Sequence, residues 1–317
     1  MPEAAVHHTR HSIDVEASAD AVYPIIADVT RWPYTFGPTI HVDLLEHHAD
    51  GPERTERLRL WATANGVVRS WTSRRTLTPA AGRIVFRQEV SAAPVASMGG
   101  EWRLEPLGDG RTRVILLHDF TVAGEDPGAA AWVEKAVDAN STVELAALRA
   151  AALPAAAGTR LSFEDSVHVP APPGDVYEFL YRADRWNERL PHVARVELTE
   201  DDPDVQTLEM DTIAPDGSVH TTKSVRVGFP TSRIVYKQTT LPPLLAAHTG
   251  AWTLRADGDG VTVTSQHTVV LRPERIEPLL GAAATLADAR ALVQRNLSTN
   301  STRTLQQARQ YLQPVSD

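Results

Sequence analysis

The chain repeats itself once, and that constrains the fold more than any other feature. Val15-Glu16-Ala17-Ser18-Ala19-Asp20-Ala21-Val22-Tyr23 leads to Arg31-Trp32, and Val169-Pro170-Ala171-Pro172-Pro173-Gly174-Asp175-Val176-Tyr177 leads to Arg185-Trp186. Arg83-Ile84-Val85-Phe86-Arg87-Gln88 returns as Arg233-Ile234-Val235-Tyr236-Lys237-Gln238. Gly100-x-Trp102-x-Leu104 returns as Gly250-x-Trp252-x-Leu254, His118 as His267, and Asn140-Ser141-Thr142 as Asn300-Ser301-Thr302. The matches keep their order, and their separation drifts only from 149 (118 to 267) to 160 (140 to 300). Solenoid units repeat every ~20–50 residues, so a period this long is a whole domain. Pro154 stops a helix and Gly158 permits a turn, which divides the 317 residues into domains 1–156 and 157–317.

Composition excludes several classes. Lys plus Arg (31) less Asp plus Glu (40) leaves −9, a balance that disfavours phosphate backbones as partners. There is no cysteine, hence no disulfide framework, thiolate catalysis or Cys-type zinc site. Met1-Pro2-Glu3-Ala4-Ala5-Val6-His7-His8 lacks the apolar core of a secretory signal. No apolar run approaches the ~18–20 residues of a membrane span, so a cytoplasmic protein is expected. Gly-x-Ser-x-Gly, His-Glu-x-x-His, Walker and Gly-x-Gly-x-x-Gly patterns are all missing. His41, His47 and His48 fall beside Asp43 and Glu46, but at no compact ligand spacing, so no metal site is expected.

Each copy reads as α+β. A strand over Arg10–Glu16 precedes a helix over Ala19–Ala27, with Ser18 as its N-cap. Alternating segments around Leu58–Leu60, Trp71–Arg75, Ile84–Glu89, Met98–Leu104 and Val114–Val122 read as strands. Asp109-Gly110 and Asp259-Gly260 read as hairpin turns. A long helix follows, capped by Asp126, opened by Pro127 and running to Leu153. A curved antiparallel sheet wrapped around such a helix should enclose a cavity.

Strand alternation puts Trp71, Ser73 and Arg75 on one face, and Met98, Gly100, Trp102 and Leu104 on one face of another strand. Arg75 then either enters an apolar enclosure or is solvated with Trp71 outside. The matched tryptophans, Trp32 with Trp186 and Trp102 with Trp252, either fill cores or wall a slot for a planar ligand. Trp71 has no counterpart, Thr222 standing in its place, which argues against a purely architectural role. His118 and His267 are either satisfied core residues or acid–base groups. Arg54, Arg57 and Arg59, near Arg74, are either a solvated strand face or a basic patch for an acidic partner.

Ala27-Asp28-Val29-Thr30-Arg31-Trp32-Pro33, Trp71-x-Ser73-x-Arg75, Met98-x-x-x-Trp102 and the Asn-Ser-Thr helix resemble the aromatase/cyclases of bacterial aromatic polyketide synthesis. The resemblance covers nearly the whole chain, and the duplication resembles their two-domain subgroup, in the START/Bet v 1-like superfamily. It implies tandem helix-grip domains, each a curved antiparallel sheet around a long C-terminal helix with an internal cavity. The implied activity is aldol cyclisation and dehydration of a poly-β-ketone on an acyl carrier protein, alongside other type II polyketide synthase components. Two-domain members typically take a chain reduced at C9 and close C7 onto C12. No metal or organic cofactor is implied. On this reading Arg75 stabilises an enolate or alkoxide, Ser73 orients Arg75 or the chain, and His118 relays a proton. Trp32, Phe36, Trp71, Met98, Trp102 and Thr142 hold the chain. Trp186, Leu190, Ser224, Arg226, Trp252 and His267 form a second pocket, supportive or acting in a later dehydration. Single-domain members can carry a tyrosine acid after the Trp-Pro segment. Here Thr39 and Val193 stand near that place and Tyr34 is out of register, which leaves the proton donor open. Two rival readings need the same fold: a START-like protein that carries a hydrophobic small molecule without chemistry, and a structural partner in a synthase complex.

Overall fold

The computed structural model describes residues 5–124, 126, 128–154, 157–213 and 217–313. The chain divides between Ala157 and Gly158 into two compact units. The first contains β1 (His7–Val15), α1 (Ala19–Ala27), α2 (Trp32–Thr35), β2 (Thr39–Asp50), β3 (Glu53–Ala64), β4 (Val67–Thr78), β5 (Arg83–Val90), β6 (Val95–Gly108), β7 (Arg111–Val122) and α3 (Ala129–Ala152). The second repeats the order: β8 (Arg160–Val169), α4 (Pro173–Tyr181), α5 (Trp186–Arg189), β9 (Val193–Asp202), β10 (Val205–Ile213), β11 (Val219–Phe229), β12 (Arg233–Thr240), β13 (Leu245–Asp257), β14 (Gly260–Leu271), a short α6 (Ile276–Leu280) and α7 (Leu286–Leu312). Each unit holds one seven-stranded antiparallel sheet, ordered β1-β7-β6-β5-β4-β3-β2 and β8-β14-β13-β12-β11-β10-β9. The long helix packs against β1, β7 and α1 in the first unit and against β8, β14 and α4 in the second. Among the described residues no helix is long and apolar enough to cross a membrane.

Local sequence explains most boundaries. Ser18 caps α1, its hydroxyl accepting from the Ala21 N–H at 3.4 Å, and Val22, Ile25, Ile26 and Ala27 form the buried face. The long second helix opens with a reciprocal capping box between Thr285 and Asp288. Helix α3 differs from expectation at its start. Gly128 occupies the cap position, and the Asp126 carboxylate accepts from the Gly128 N–H at 2.8 Å instead of capping the helix itself. Pro127 lies outside the described residues.

The two hairpin turns also differ. Asp109 and Gly110 (φ 50° and 70°) form the loop between β6 and β7, as the sequence suggests. In the second unit Asp257 pairs with Gly260, so the loop is Gly258-Asp259, one residue early. Gly260 belongs to β14, where a Cβ would lie 2.3 Å from the Val169 carbonyl oxygen. Its glycine serves a close approach, not a turn.

Two glycines inside strands set the interior geometry. Gly100 pairs with Phe86 on one side and His118 on the other. Gly250 pairs in the same way with Tyr236 and His267. A Cβ on Gly100 would meet Phe86 Cζ at 2.6 Å, and one on Gly250 would meet Tyr236 Oη at 2.4 Å. Only a bare backbone lets the aromatic ring lie across the strand toward the histidine.

Candidate active site

The first unit encloses a cavity of about 190 Å³ between the sheet and α3. Trp32, Phe36, Trp71, Ser73, Arg75, Met98, Trp102 and His118 all line it. The walls are aromatic and mutually packed. Phe36 lies parallel to Trp102 at 6.3 Å between centroids and edge-on to Trp32 at 5.7 Å. Trp71 packs on the Leu58–Leu60 cluster. Thr142 is a correction: it is exposed, and its hydroxyl donates to the Asp138 carbonyl at 2.8 Å. The cavity face of α3 is Trp132, Val133, Ala136, Val137, Asn140, Ser141 and Glu144, the i, i+3, i+4 stripe that leaves Thr142 outside.

Arg75 is buried, as the enclosure reading requires, but it is not unpartnered. Its Nε donates to Glu56 Oε2 at 2.7 Å, its Nη1 to the Ile26 carbonyl at 3.1 Å, and its Nη2 to the Ala27 carbonyl. Nη2 also lies 2.5 Å from Glu56 Oε2. The guanidinium thus ties the C-terminal carbonyls of α1 to the sheet, where the helix dipole favours a cation. It sits 5.4 Å from the Trp32 ring, whose Nε1–H donates to the Ile26 carbonyl at 3.0 Å. Burial lowers its pKa and Glu56 pulls it back up. All three nitrogens have protein acceptors, which take four of the five N–H groups, so Arg75 is committed first to the scaffold although it also lines the cavity. The Ser73 hydroxyl donates to the Arg87 carbonyl at 3.0 Å, which ties β4 to β5.

Arg226 repeats the clamp. It donates to the Leu180 and Tyr181 carbonyls at 2.5 and 3.3 Å and to Gln206 Oε1 at 2.8 Å. It lies 5.1 Å from the Trp186 ring. Burial lowers its pKa to about 10. An arginine kept in both units at one structural post is part of the scaffold.

His118 differs from its counterpart. It faces the cavity from β7, edge-on to Phe86 at 5.5 Å, and its Nδ1 is buried with no hydrogen-bond partner. Burial lowers its pKa to about 4, with His11 adding to the effect, so the ring is neutral near pH 7. His267 is instead fully engaged. Its Nδ1 lies 3.0 Å from both Tyr236 Oη and His248 Nε2. Its Nε2 lies 3.2 Å from Ser265 Oγ and 2.6 Å from Ser301 Oγ. Tyr236 and His248 stand at the register positions of Phe86 and Met98. Burial takes the pKa of His248 down to about 3 and that of His267 to about 4. Trp186, Leu190 and Trp252 belong to the apolar core of the second unit, with Ser224 half-buried beside it on β11.

Sequence reasoning missed several polar groups. Arg69 and Gln88 line the cavity, and Arg69 Nε and Gln88 Oε1 are buried without partners. Arg69 was within reach of the alternation rule, two residues before Trp71. Asn140, whose amide donates to the Thr63 carbonyl at 2.9 Å, was visible in the repeated Asn-Ser-Thr. Elsewhere, His41 pairs with Asp43 at 2.8 Å, and the described residues hold no group of three candidate metal ligands. The basic run is divided between two faces of β3, with Arg54 on the face of Glu56 and Leu58, and Arg57 and Arg59 on the other. Arg57 bonds Glu46 and Glu89 at 3.0 and 2.7 Å, Arg74 bonds Glu89 at 3.0 Å, and Arg59 covers Trp61.

This duplicated, cavity-bearing layout has known relatives. The polyketide cyclase/dehydrase and lipid transport family matches the chain twice, over residues 6–152 and 160–312. The chain belongs to this family. It is 44% identical over 328 residues to the actinorhodin polyketide synthase bifunctional cyclase/dehydratase of Streptomyces coelicolor, with 100% of both chains covered. It is 43% identical over 311 residues to the granaticin counterpart of Streptomyces violaceoruber, covering 97% of this chain and 95% of that one. Among solved structures it is 50% identical to the di-domain ARO/CYC BexL from the BE-7585A biosynthetic pathway, with a TM-score of 0.85 over 98% of this chain and 100% of that one. The di-domain ARO/CYC StfQ from the steffimycin pathway is 34% identical, with a TM-score of 0.81 over 96% and 98% of the two chains. The fold is the tandem sheet-and-helix arrangement anticipated from the repeat, and the chain is a two-domain aromatase/cyclase.

Proposed function

We propose that the first unit directs first-ring aldol cyclisation and dehydration of a poly-β-ketone bound to an acyl carrier protein. The substrate is a C9-reduced chain, closed from C7 to C12, and the setting is a cytoplasmic type II polyketide synthase. The coarser role, a cyclase/dehydratase in polyketide synthesis, is that of the relatives named above. One observation carries the site assignment: a neutral imidazole with an unpartnered Nδ1 faces a tryptophan-walled cavity.

The chemistry needs few groups. His118 Nδ1 takes a proton from a methylene between two carbonyls and leaves an enolate. The enolate carbon attacks a ketone carbon, forming the ring C–C bond and an alkoxide that recovers the proton. For dehydration the remaining proton of that methylene passes to the base, which hands it to the hydroxyl, and the C–O bond breaks with loss of water. General acid–base help of this kind contributes about 10²–10⁴-fold. Trp32, Phe36, Trp71, Met98 and Trp102 select one conformer of a chain that otherwise closes in many ways, which is catalysis by proximity. Arg75 is a positioning residue that fixes α1 and the Trp32 wall, and Ser73 braces β4 on β5. The second unit is supportive, because His267 has no nitrogen to offer without breaking a hydrogen bond.

The test is product analysis in a synthase reconstituted with carrier protein and ketoreductase. Addition of the protein should convert shunt products into one first-ring aromatic product. An unchanged mixture would assign the chain to carrying instead of chemistry.

A further inference from the structure

We propose that Arg69 supplies the guanidinium that binds an oxygen of the substrate chain, the part that the family pattern gives to Arg75. The inference rests on the cyclisation reading and deepens it by naming a group that grips the chain.

Both cavity arginines stand on β4, six positions apart (75 − 69), and therefore on one face, about 20 Å apart at ~3.3 Å per residue. They differ in what they already hold. Arg75 has Glu56 and two helix carbonyls. Arg69 has a single contact at the long limit, Nη1 to the Val68 carbonyl at 3.4 Å, while its buried Nε–H has no acceptor. Buried N–H groups of a cation without a partner are uncommon and costly, so an arginine that lines a cavity and carries one marks a place for an acceptor brought by a ligand.

The surroundings favour a carbonyl or enolate oxygen. Across the strand pair Arg69 faces Ala62, with Ala64 further along the lining, and such small side chains leave room above β3. Trp71, two residues on and on the same face, gives a flat wall for a conjugated group. A 1,3-dicarbonyl in its enolate form presents a planar, anionic pair of oxygens, and hydrogen bonds from a guanidinium to anionic oxygen are the stronger kind.

The internal repeat supplies a comparison. The clamp arginine occurs in both units as Arg75 and Arg226. With Trp71 set against Thr222, the position of Arg69 falls on His220, which is exposed and 3.1 Å from Ser218 Oγ. Arg69 is therefore confined to the unit of His118, whose Nδ1 has no partner where that of its counterpart His267 has two. Scaffold needs are shared between the copies, and this guanidinium is not among them.

The experiment uses the full chain, Arg69→Met and Arg69→Lys. Binding of 1-phenylbutane-1,3-dione is followed by tryptophan fluorescence, and KM and kcat are measured for the carrier-bound chain. Arg69→Met should weaken diketone binding about tenfold or more and raise KM, with melting within about 2 °C of wild type. Arg69→Lys should recover part of the affinity, because the charge returns without the fork. Should Arg69→Met melt early, the comparison of Arg69→Lys with wild type decides alone. Absence of diketone binding by the wild type, or equal affinity and KM in the variants, overturns the proposal. An Arg69-dependent diketone site in a protein that leaves polyketide products unchanged would sink the cyclisation reading and keep this one.

Discussion

Replacing Arg75 with methionine should destabilise the first unit by about 3–5 kcal/mol, the usual cost of breaking a buried ion pair from one side. The side chains of Arg75 and Glu56 are 2% and 7% exposed, so little solvent screening discounts the figure. The Ile26 carbonyl keeps the Trp32 indole N–H at 3.0 Å, but Glu56 loses the cation that it bonds and the Ala27 carbonyl loses its donor. For a unit of this size each kcal/mol moves Tm by roughly 2–4 °C, giving a fall of about 6–20 °C. Glu56→Gln copies the second unit, where Arg226 meets Gln206. There, however, Gln206 Nε2 is bonded to Glu200 Oε2 at 3.0 Å, which places a carboxylate one step away. Glu200 pairs with Gln206 across β9 and β10, and the first-unit residue paired with Glu56 is His47. Glu56→Gln should therefore cost about 1–3 kcal/mol, and adding His47→Glu should return part of it. Calorimetry of the full-length variants reads both. If Arg75→Met melts within about 2 °C of wild type yet loses all cyclisation, Arg75 grips substrate and the clamp argument is wrong.

Other outcomes follow from the same geometry. His118→Leu should lower first-ring product formation about 10²-fold or more without a large change in melting. His118 titrates near 4, so wild-type rates should be level from pH 8 to 5 and fall as pH drops through about 4; half-activity near 6.5 would point to another base. In the second unit His248 and His267 are held neutral, with values of about 3 and 4, while the unfolded chain protonates near 6.5. Their contribution is complete above about 6.5 and erodes as pH falls toward 4, by up to ~1.4 kcal/mol per pH unit for each group. Urea unfolding of that unit at pH 7 and pH 5 checks this, and equal midpoints would contradict it. Gly100→Ala places a Cβ 2.0 Å from the Leu117 carbonyl oxygen and 2.6 Å from Phe86 Cζ. Thermal scans should show a large loss, and an unchanged melt would mean the ring does not cross the strand.

The fold was legible because the repeat supplied each element twice and the periodicity was clean. The α1 bounds and its Ser18 cap follow directly from local chemistry. Strand β2 was not legible, since register shifts at Thr39/His41 and Leu44/Glu46 break the two-residue alternation and its polar residues suit an edge. The aromatic lining of the cavity was legible from strand faces. The commitment of Arg75 was not, because its partners Ile26, Ala27 and Glu56 are 49, 48 and 19 residues away and two of them are backbone carbonyls. Side-chain patterns carry no signal for a backbone acceptor. The error over Thr142 had a different origin: a repeated triplet shows that a helix turn recurs, not which of its residues faces inward.

The two interiors differ by a pair of side chains, and that difference bears on which histidine can react. Phe86 and Tyr236 lie across equivalent glycines, and the tyrosine adds a hydroxyl that meets His267 Nδ1. Met98 gives way to His248, whose Nε2 meets the same nitrogen. Installing both residues in the first unit, as Phe86→Tyr with Met98→His, should engage His118 Nδ1 and silence it. The phenol hydrogen bond alone, worth about 1 kcal/mol net, should lower the basicity of His118 and its rate several-fold. The double variant should approach the His118→Leu level while melting close to the wild-type temperature, because His118 Nδ1 gains partners while the imported imidazole brings a buried nitrogen without one, as His248 Nδ1 is in the second unit. Activity kept at the wild-type level, with the new hydrogen bonds seen in a crystal structure, would show that His118 is not the base. Loss of activity with stability kept is the pattern that a simple packing defect cannot produce.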